Sequence, residues 1–389
     1  MPACLRGNLS LGVLRQEQRG AVVADTAEKL NLMGLSPGEL EDFFRARGEK
    51  PFRVQQILRW IYQFGVNDFA VMSNLRKELR ASLAEECCIC APEVVSEQRS
   101  RDGTVKWALD IGDGQFVESV LIPEEDRNTL CISTQAGCAV GCAFCRTGAG
   151  GFSRNLSLSE IIGQVWRAAE RTGFSQNQEH KPISNVVMMG MGEPLLNLKP
   201  VLKAVEILLS DYGFALSKRR VTISTAGVAP VIARLAEHAD VALALSLHAP
   251  DDALRDRLVP LNRQYNIAAV LKAVRSYLGS TNANCGKVTI EYVLLDRIND
   301  FPEQARALAR LLANIPCKIN LIPFNPCEGT GFGRPAEERM EKFYRTLSNA
   351  GFTVIRRTTR GDDIAAACGQ LAGQIKNRLA PRGIRAKTI

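Results

Sequence analysis

In the stretch FRVQQILRWIYQFG, Val54, Ile57, Leu58 and Ile61 recur at intervals of three and four residues, the spacing of one helix face. NLRKELRASLAEE continues the pattern with Leu75, Leu79 and Leu83. Residues 31–92 therefore read as a small helical domain packed on itself. Between 93 and 124 the pattern changes. TVKWALDI and QFVESVLI are rich in β-formers and are bounded by the turn signals Asp102-Gly103 and Gly112-Asp113-Gly114. They predict a short antiparallel β-ribbon that serves as a linker. From 125 to 361 apolar runs alternate with helical periods. Strands are predicted at TLCIST, NVVMMGM, RVTISTAG, VALALSL, KVTIEYVLL, KINLIPF and FTVIRRT. Helices are predicted over 157–172, 199–210, 229–238, 267–278, 302–314, 336–350 and 363–377. Ser157 followed by Glu160 is a capping-box signature. Apolar strands alternating with helices predict an α/β fold with parallel strands, doubly wound or curled into a barrel. In either case chemistry belongs at the C-terminal strand ends. Residues 1–30 show no period and read as an extension. Residues 362–389 read as a C-terminal helix and basic tail.

Composition narrows the class. The 389 residues are 46% hydrophobic and 23% charged, which excludes wholesale disorder. No run approaches the ~20 apolar residues of a membrane span, and MPACLRGNLSLGVLRQ lacks the apolar core of a secretory signal. A cytoplasmic protein, with no membrane partner, is expected. The net charge is +8, and 351–389 carry eight Lys/Arg against two Asp, +6 of that total. A basic tail is either a footprint for nucleic acid or a solvated helix end, and charge alone favours the second.

Twelve cysteines against three histidines direct attention to sulfur. Cys138-Ala-Val-Gly-Cys142-Ala-Phe-Cys145 would place three thiols on one face of a helix. Gly137 and Gly141 argue against a helix, and the segment follows a predicted strand. Three soft ligands within eight residues suit a metal. Zinc would require a fourth protein ligand, and none lies close by in sequence. A four-iron cluster on three cysteines leaves one iron open, and this spacing is the radical S-adenosylmethionine motif.

Other positions are ambiguous on their own. Cys368 shares an apolar helical stripe with Ile364, Leu371 and Ile375, although Gly369 also permits a loop. Cys131 fits a strand core. Glu118 is the only charge in GQFVESVLIP; it is either on a solvated face or buried with a raised pKa, and the residues alone favour the solvated face. Ser224, Ser246, His248 and Asn325 stand near strand ends, where turn formers are common. Gly190-Met-Gly192-Glu193-Pro194 could bring backbone close to a ligand.

The combination resembles the RlmN family of radical S-adenosylmethionine enzymes, the adenine-2 methyltransferases of ribosomal and transfer RNA. The resemblance extends from about residue 33 through GEKPFRVQQILRWIY, APEVVSEQRSRDGTVKWAL, the three-cysteine motif, FSRNLSLSEIIGQVWRA, NVVMMGMGEPLLN, LSKRRVTISTAG, ALSLHAP, KINLIPFNP and TTRGDDIAAACGQLAG. It implies a radical SAM partial (β/α) barrel carrying one [4Fe-4S] cluster on Cys138, Cys142 and Cys145. It implies S-adenosylmethionine contacts from Gly192, Glu193, Ser224, Ser246, Leu247, His248 and Asn325. Cys368 resembles the methyl-carrying cysteine, Cys131 its resolving partner and Glu118 the base that removes the ring proton. The resemblance further implies that two S-adenosylmethionine molecules are consumed per methyl: one methylates Cys368, the other yields the radical that activates this methyl for addition to adenine.

The partners implied are 23S rRNA, tRNA and a low-potential electron donor such as flavodoxin, with the enzyme a monomer. The basic residues Arg378, Arg382 and Arg385 and the helical domain would handle RNA. Relatives acting at adenine carbon-8 share the motifs, but the whole-chain resemblance is closer to the carbon-2 group. Phe324 stands where relatives often have Trp, and Cys327 is an extra thiol without an assigned role.

Overall fold

The computed structural model describes residues 29–125, 127–174, 182–281, 286–326 and 330–373. Its N-terminal unit contains α1 (Pro37–Ala46), α2 (Phe52–Tyr62) and α3 (Lys77–Glu86), with β1 (Leu30–Asn31) paired in parallel to β2 (Cys87–Cys88). The predicted stripe is the buried face: Val54, Ile57, Leu58 and Ile61 of α2 enter the core with Leu79 and Leu83 of α3. A capping box between Ser36 and Glu39 starts α1, with Pro37 in its first turn where no N–H is required.

The remaining chain is built on one ten-stranded sheet. β3 (Glu93–Arg99), β4 (Val105–Asp110) and β5 (Phe116–Pro123) form the antiparallel ribbon, and β5 pairs antiparallel with β6 (Asn128–Cys131). The ribbon thus continues the barrel sheet rather than standing apart as a linker. Before the next barrel strand the chain makes a small hairpin of β7 (Gln135–Gly137) and β8 (Phe152–Asn155), which brackets the short helix α4 (Arg146–Ala149). After α5 (Leu158–Thr172) the parallel array follows: β9 (Asn185–Met188), β10 (Val221–Thr225), β11 (Ala242–Ser246), β12 (Val288–Leu294), β13 (Cys317–Pro323) and β14 (Thr353–Arg356). With β6 beside β9, seven parallel strands run in the order β6-β9-β10-β11-β12-β13-β14. The connecting helices are α6 (Leu198–Leu209), α7 (Ala229–Leu235), α8 (Asp252–Leu258), α9 (Ile267–Ser280), α10 (Pro302–Leu312) and α11 (Glu337–Asn349).

All seven strands and six of the seven helices predicted in this region form. The Ser157–Glu160 capping box is present at the start of α5, with each side chain accepting from the other residue's backbone N–H. Strand alternation divides the sheet's two faces. Val186, Ile223, Leu243, Leu245, Ile290, Tyr292, Ile319 and Leu321 join the hydrophobic core. Val187, Thr222, Ala242, Thr289, Glu291 and Asn320 face the barrel interior and line a cavity there. The helical unit docks on this frame through Trp166 Nε1, which donates to Ile61 O at 2.8 Å, and Gln63 Nε2, which donates to Asp211 O at 2.7 Å.

The helix predicted over 363–377 does not form across its described part. A single 3-10 turn at Asp362–Ile364 is followed by irregular chain. Ala365, Gly369 and Gly373 take φ of 51°, 83° and 62°, left-handed values that interrupt a right-handed helix. Cys368 therefore lies on a loop, which its neighbour Gly369 makes possible. α8 had no counterpart in the sequence reading because much of its inner face is polar: Arg255 is fully buried there beside Leu258. No helix among the described residues is long and apolar enough to cross a membrane.

Candidate active site

The three-cysteine motif lies at the C-terminal end of β6, in the loop between β7 and α4 rather than on a helix. Gly137 and Gly141, at φ of 76° and 67°, direct the chain around it. A Cβ at Gly148 would stand 3.0 Å from Cys142 N, so the short helix α4 packs closely on the loop because this position has no side chain. Burial, with repulsion from the Cys145 thiol and Glu193, pushes Cys138 up to about 11, against the backbone hydrogen bonds of Val140 and Gly141, which lower it. Burial and then the thiols of Cys145 and Cys138 push Cys142 well above the ordinary range. Three mutually repelling buried thiols are a poor anion site and a good cation site. Among the described residues, no three His, Cys, Asp or Glu side chains converge closely enough for one metal ion. Three soft thiols on one loop are a donor set that fits a [4Fe-4S] cluster, and Cys138, Cys142 and Cys145 are the residues that would hold one.

These thiols line a cavity of about 160 Å³ together with Gly192, Glu193, Ser224, Ser246, His248 and Asn325. All the residues that the resemblance assigned to S-adenosylmethionine border it except Leu247, whose side chain is wholly buried in the core. A Cβ at Gly190 would meet Ile132 O at 2.7 Å, and Gly192 holds φ 103° with Gln135 against it. Glu193 Oε2 accepts from Ala226 N at 2.7 Å and Oε1 from Leu195 N at 3.1 Å. Burial nevertheless raises its pKa to about 7. His248 adopts a left-handed φ of 61° and packs edge-on to Phe144 with centroids 4.8 Å apart. Its Nδ1 accepts from Val293 N at 3.1 Å, and burial lowers its pKa to about 3. The ring is therefore neutral with its proton on Nε2, a donor left for a ligand. Asn325 Oδ1 accepts from Thr359 Oγ1 at 2.9 Å.

A residue missed in the sequence organises this side. Arg255 donates to Leu247 O at 3.0 Å, Ser246 O at 3.2 Å, Ala226 O at 2.5 Å and Asn262 Oδ1 at 2.8 Å. It ties the ends of β10 and β11 together, and burial lowers its pKa to about 10. In ALRDRL nothing distinguishes it from a solvated helix charge, because its acceptors are distant backbone carbonyls.

A second cavity, about 660 Å³, adjoins the first and shares Cys145, Gly190, Glu291 and Cys368 with it. Cys131, from the end of β6, lines it too. Both Cys131 and Cys368 are free thiols. Burial, then the Cys368 thiol, pushes Cys131 up to about 12. Burial also raises Cys368, with the nearby Arg357 guanidinium opposing it and Glu291 adding to it. The wall of this cavity is basic: Arg127, Arg219, Arg220, Lys318, Arg357 and Arg360 border it. Two of these, Arg219 and Arg220, lie in the run LSKRR, whose charge could have pointed to them but enters the sequence reading only as part of the family resemblance. Arg378, Arg382 and Arg385 lie outside the described residues, as does Cys327.

Glu118 borders neither cavity. It stands on the same face of β5 as the cavity-lining Val120 but is covered by the C-terminal loop. Its Oε2 accepts from Ala372 N at 2.6 Å and Gly373 N at 3.1 Å. Lys106 Nζ stands 3.1 Å from its Oε1. The loop is pinned further by Arg146 N donating to Gly369 O, by Thr147 Oγ1 donating to Leu371 O and by Asp102 accepting from Gly361 N.

Residues 30–89 match the family model described as the ribosomal RNA large subunit methyltransferase N-terminal domain, and residues 132–312 match the radical SAM superfamily. The chain is similar to a radical SAM methyltransferase from Sphaerobacter thermophilus, at 43% identity over 89% of this chain and 100% of that one, with a TM-score of 0.81. Remote likenesses include a domain of pyruvate-formate lyase-activating enzyme from Bacteroides vulgatus (18% identity, 45% of this chain and 99% of that one, TM-score 0.33). Another is Streptococcus suis SuiB bound to S-adenosylmethionine (15% identity, 61% and 55%, TM-score 0.41).

Proposed function

This chain belongs to the RlmN family of radical S-adenosylmethionine methyltransferases, and on that footing we propose that it converts adenosine to 2-methyladenosine in 23S rRNA and in tRNA. The observation that carries the reading is the meeting of Cys131 and Cys368, remote in sequence, at one cavity beside the three-cysteine loop. A methyltransferase that simply bound cofactor and base would have no use for two facing thiols.

When bound, the cluster and S-adenosylmethionine supply the methyl group and the hydrogen-abstracting radical. The protein's own residues hold and release the methyl. Cys368 Sγ is the nucleophile that takes the methyl as a thioether, and its loop position leaves it exposed to the cavity. Arg357 opposes the effect of burial and favours the Cys368 thiolate. Cys131 Sγ then attacks Cys368 Sγ: the S–S bond forms as the Cys368 Sγ–carbon bond to the base breaks. The electron pair leaves with that carbon, which takes up a proton to become the methyl group. An external thiol or reductase reduces the disulfide between turnovers. Glu118 Oε2 takes the ring proton, which requires residues 372–373 to move off it. The basic wall of the larger cavity receives the RNA backbone, and the target adenosine enters extruded from its stack.

Mass spectrometry of nucleosides from RNA treated with the reconstituted enzyme, against 2-methyl and 8-methyladenosine standards, tests this. Growth of 2-methyladenosine is expected. Growth of 8-methyladenosine, or of neither, overturns the assignment.

A further inference from the structure

Glu291 is a buried acid in the middle of a parallel strand, and none of the steps above uses it. It is the one acidic side chain among the described residues that borders both cavities. It therefore stands with Cys368 at the junction between the cofactor side and the RNA side. An acid in such a strand is unfavourable unless its oxygens are engaged. Among the described residues its carboxyl receives one hydrogen bond, from Asn320 Nδ2 to Oε1 at 2.9 Å. Asn320, 7% exposed, is unsatisfied in turn, because its Oδ1 has no partner. The strand register sets Ser246, Glu291 and Asn320 side by side across β11, β12 and β13, so the pair is level with the cofactor-facing Ser246.

The pair offers acceptor oxygens beside the methyl-carrying thiol. A base seated with its reacting carbon against Cys368 must place an edge near it. On adenine the edge next to carbon-2 carries N1 and then the 6-amino group, a donor that needs an acceptor. Guanine presents a carbonyl oxygen there, which acceptors repel. Flipped bases are read through hydrogen bonds on this edge.

We propose that Glu291, held in place by Asn320, is the specificity-determining residue that accepts a hydrogen bond from the 6-amino group of the target adenine. This rests on the methyltransferase reading above. Burial raises the Glu291 pKa, while Arg357, Asn320 and Lys318 pull against that rise. The role survives either protonation state, since the carboxylate and the neutral acid both keep an accepting oxygen. Asn320 is a positioning residue: its amide holds Oε1 and leaves Oε2 for the base.

The test uses the full-length reconstituted enzyme and two RNAs that differ only at the target nucleoside, adenosine or purine riboside, which lacks the amino group. Methylation of each is compared for wild type, Glu291→Gln and Glu291→Ala. The ratio is read from kcat/KM, and from dissociation constants where turnover is too slow. Glu291→Gln keeps the volume and the Asn320 hydrogen bond and serves as the variant least prone to misfolding. Wild type is expected to prefer adenosine by about tenfold or more. Both variants should bring the ratio close to one by slowing adenosine selectively, because a Gln turns an N–H₂ toward the amino group. A wild-type ratio retained in both variants overturns the assignment while leaving the methyltransferase function intact. Wild-type enzyme that methylates neither RNA overturns the function and this role together.

Discussion

Lys106 Nζ lies 3.1 Å from Glu118 Oε1, and both side chains are at least nine-tenths buried, between the ribbon strands and the C-terminal loop. The same ammonium donates to Ala365 O at 3.1 Å, and the same carboxylate accepts from Ala372 N and Gly373 N. One ion pair thus grips the cysteine loop on both sides of Cys368.

Removing one partner leaves the other charge buried and unpaired. Lys106→Met is expected to lower stability by about 3 kcal/mol or more in urea unfolding. It should also raise the rate of Cys368 alkylation, because the loop loses its anchor. Lys106→Met with Glu118→Gln should destabilise by less than the sum of the single changes.

Arg255 is expected to be as sensitive, for a different reason. Arg255→Met leaves the carbonyls of Leu247, Ser246 and Ala226 without their donor inside the protein. Each unsatisfied buried group costs about 1–3 kcal/mol. The variant should lose S-adenosylmethionine affinity in calorimetry as the ends of β10 and β11 separate. Arg255→Lys should restore only part, since an ammonium cannot span the same fork of acceptors.

Cys131→Ala should stall the reaction after carbon–carbon bond formation. A covalent protein–RNA adduct is expected on denaturing gels, with the crosslink mapped to Cys368. Normal turnover without an adduct would exclude a resolving role for Cys131.

The basic wall makes a prediction about salt. Arg219→Ala and Arg360→Ala should each weaken RNA binding and reduce the slope of log affinity against log salt by about one. An unchanged slope would mean that these side chains face solvent without touching phosphate.

His248 sets an acid limit on the apoprotein. Its pKa in the folded state is about 3, below the 6.5 of the free side chain. The folded protein therefore binds fewer protons than the unfolded chain in this interval. The stability that follows is present above pH 6.5 and is lost as pH falls toward 3, at up to about 1.4 kcal/mol per pH unit. His248→Gln should remove one proton's worth of that slope in denaturation measured across pH.

The three-cysteine loop, the helix stripe of Val54 to Ile61 and the seven barrel strands were legible because each is written in short-range spacing. The loop conformation around Cys368 was less so, since its apolar period imitates a helix until the left-handed turns at Ala365 and Gly369 break it. Glu118 shows the opposite limit. Its isolation in an apolar strand favoured a solvated face, and the covering C-terminal loop overturns that reading by burying it.

By itself, then, the sequence determined the alternation of strands and helices, the three-cysteine motif and, through motifs spread along the chain, the family. Those features depend on residues within a turn or strand of one another. The tertiary structure brought Cys131 and Cys368, which only the family resemblance had paired, to one cavity, and it alone decided that Arg255 braces two strand ends and that Glu291 joins Asn320 at the cavity junction. Such pairings depend on strand register and on how the ends of the parallel array converge. Both are settled by packing the whole sheet against its helices, over distances that no local spacing records.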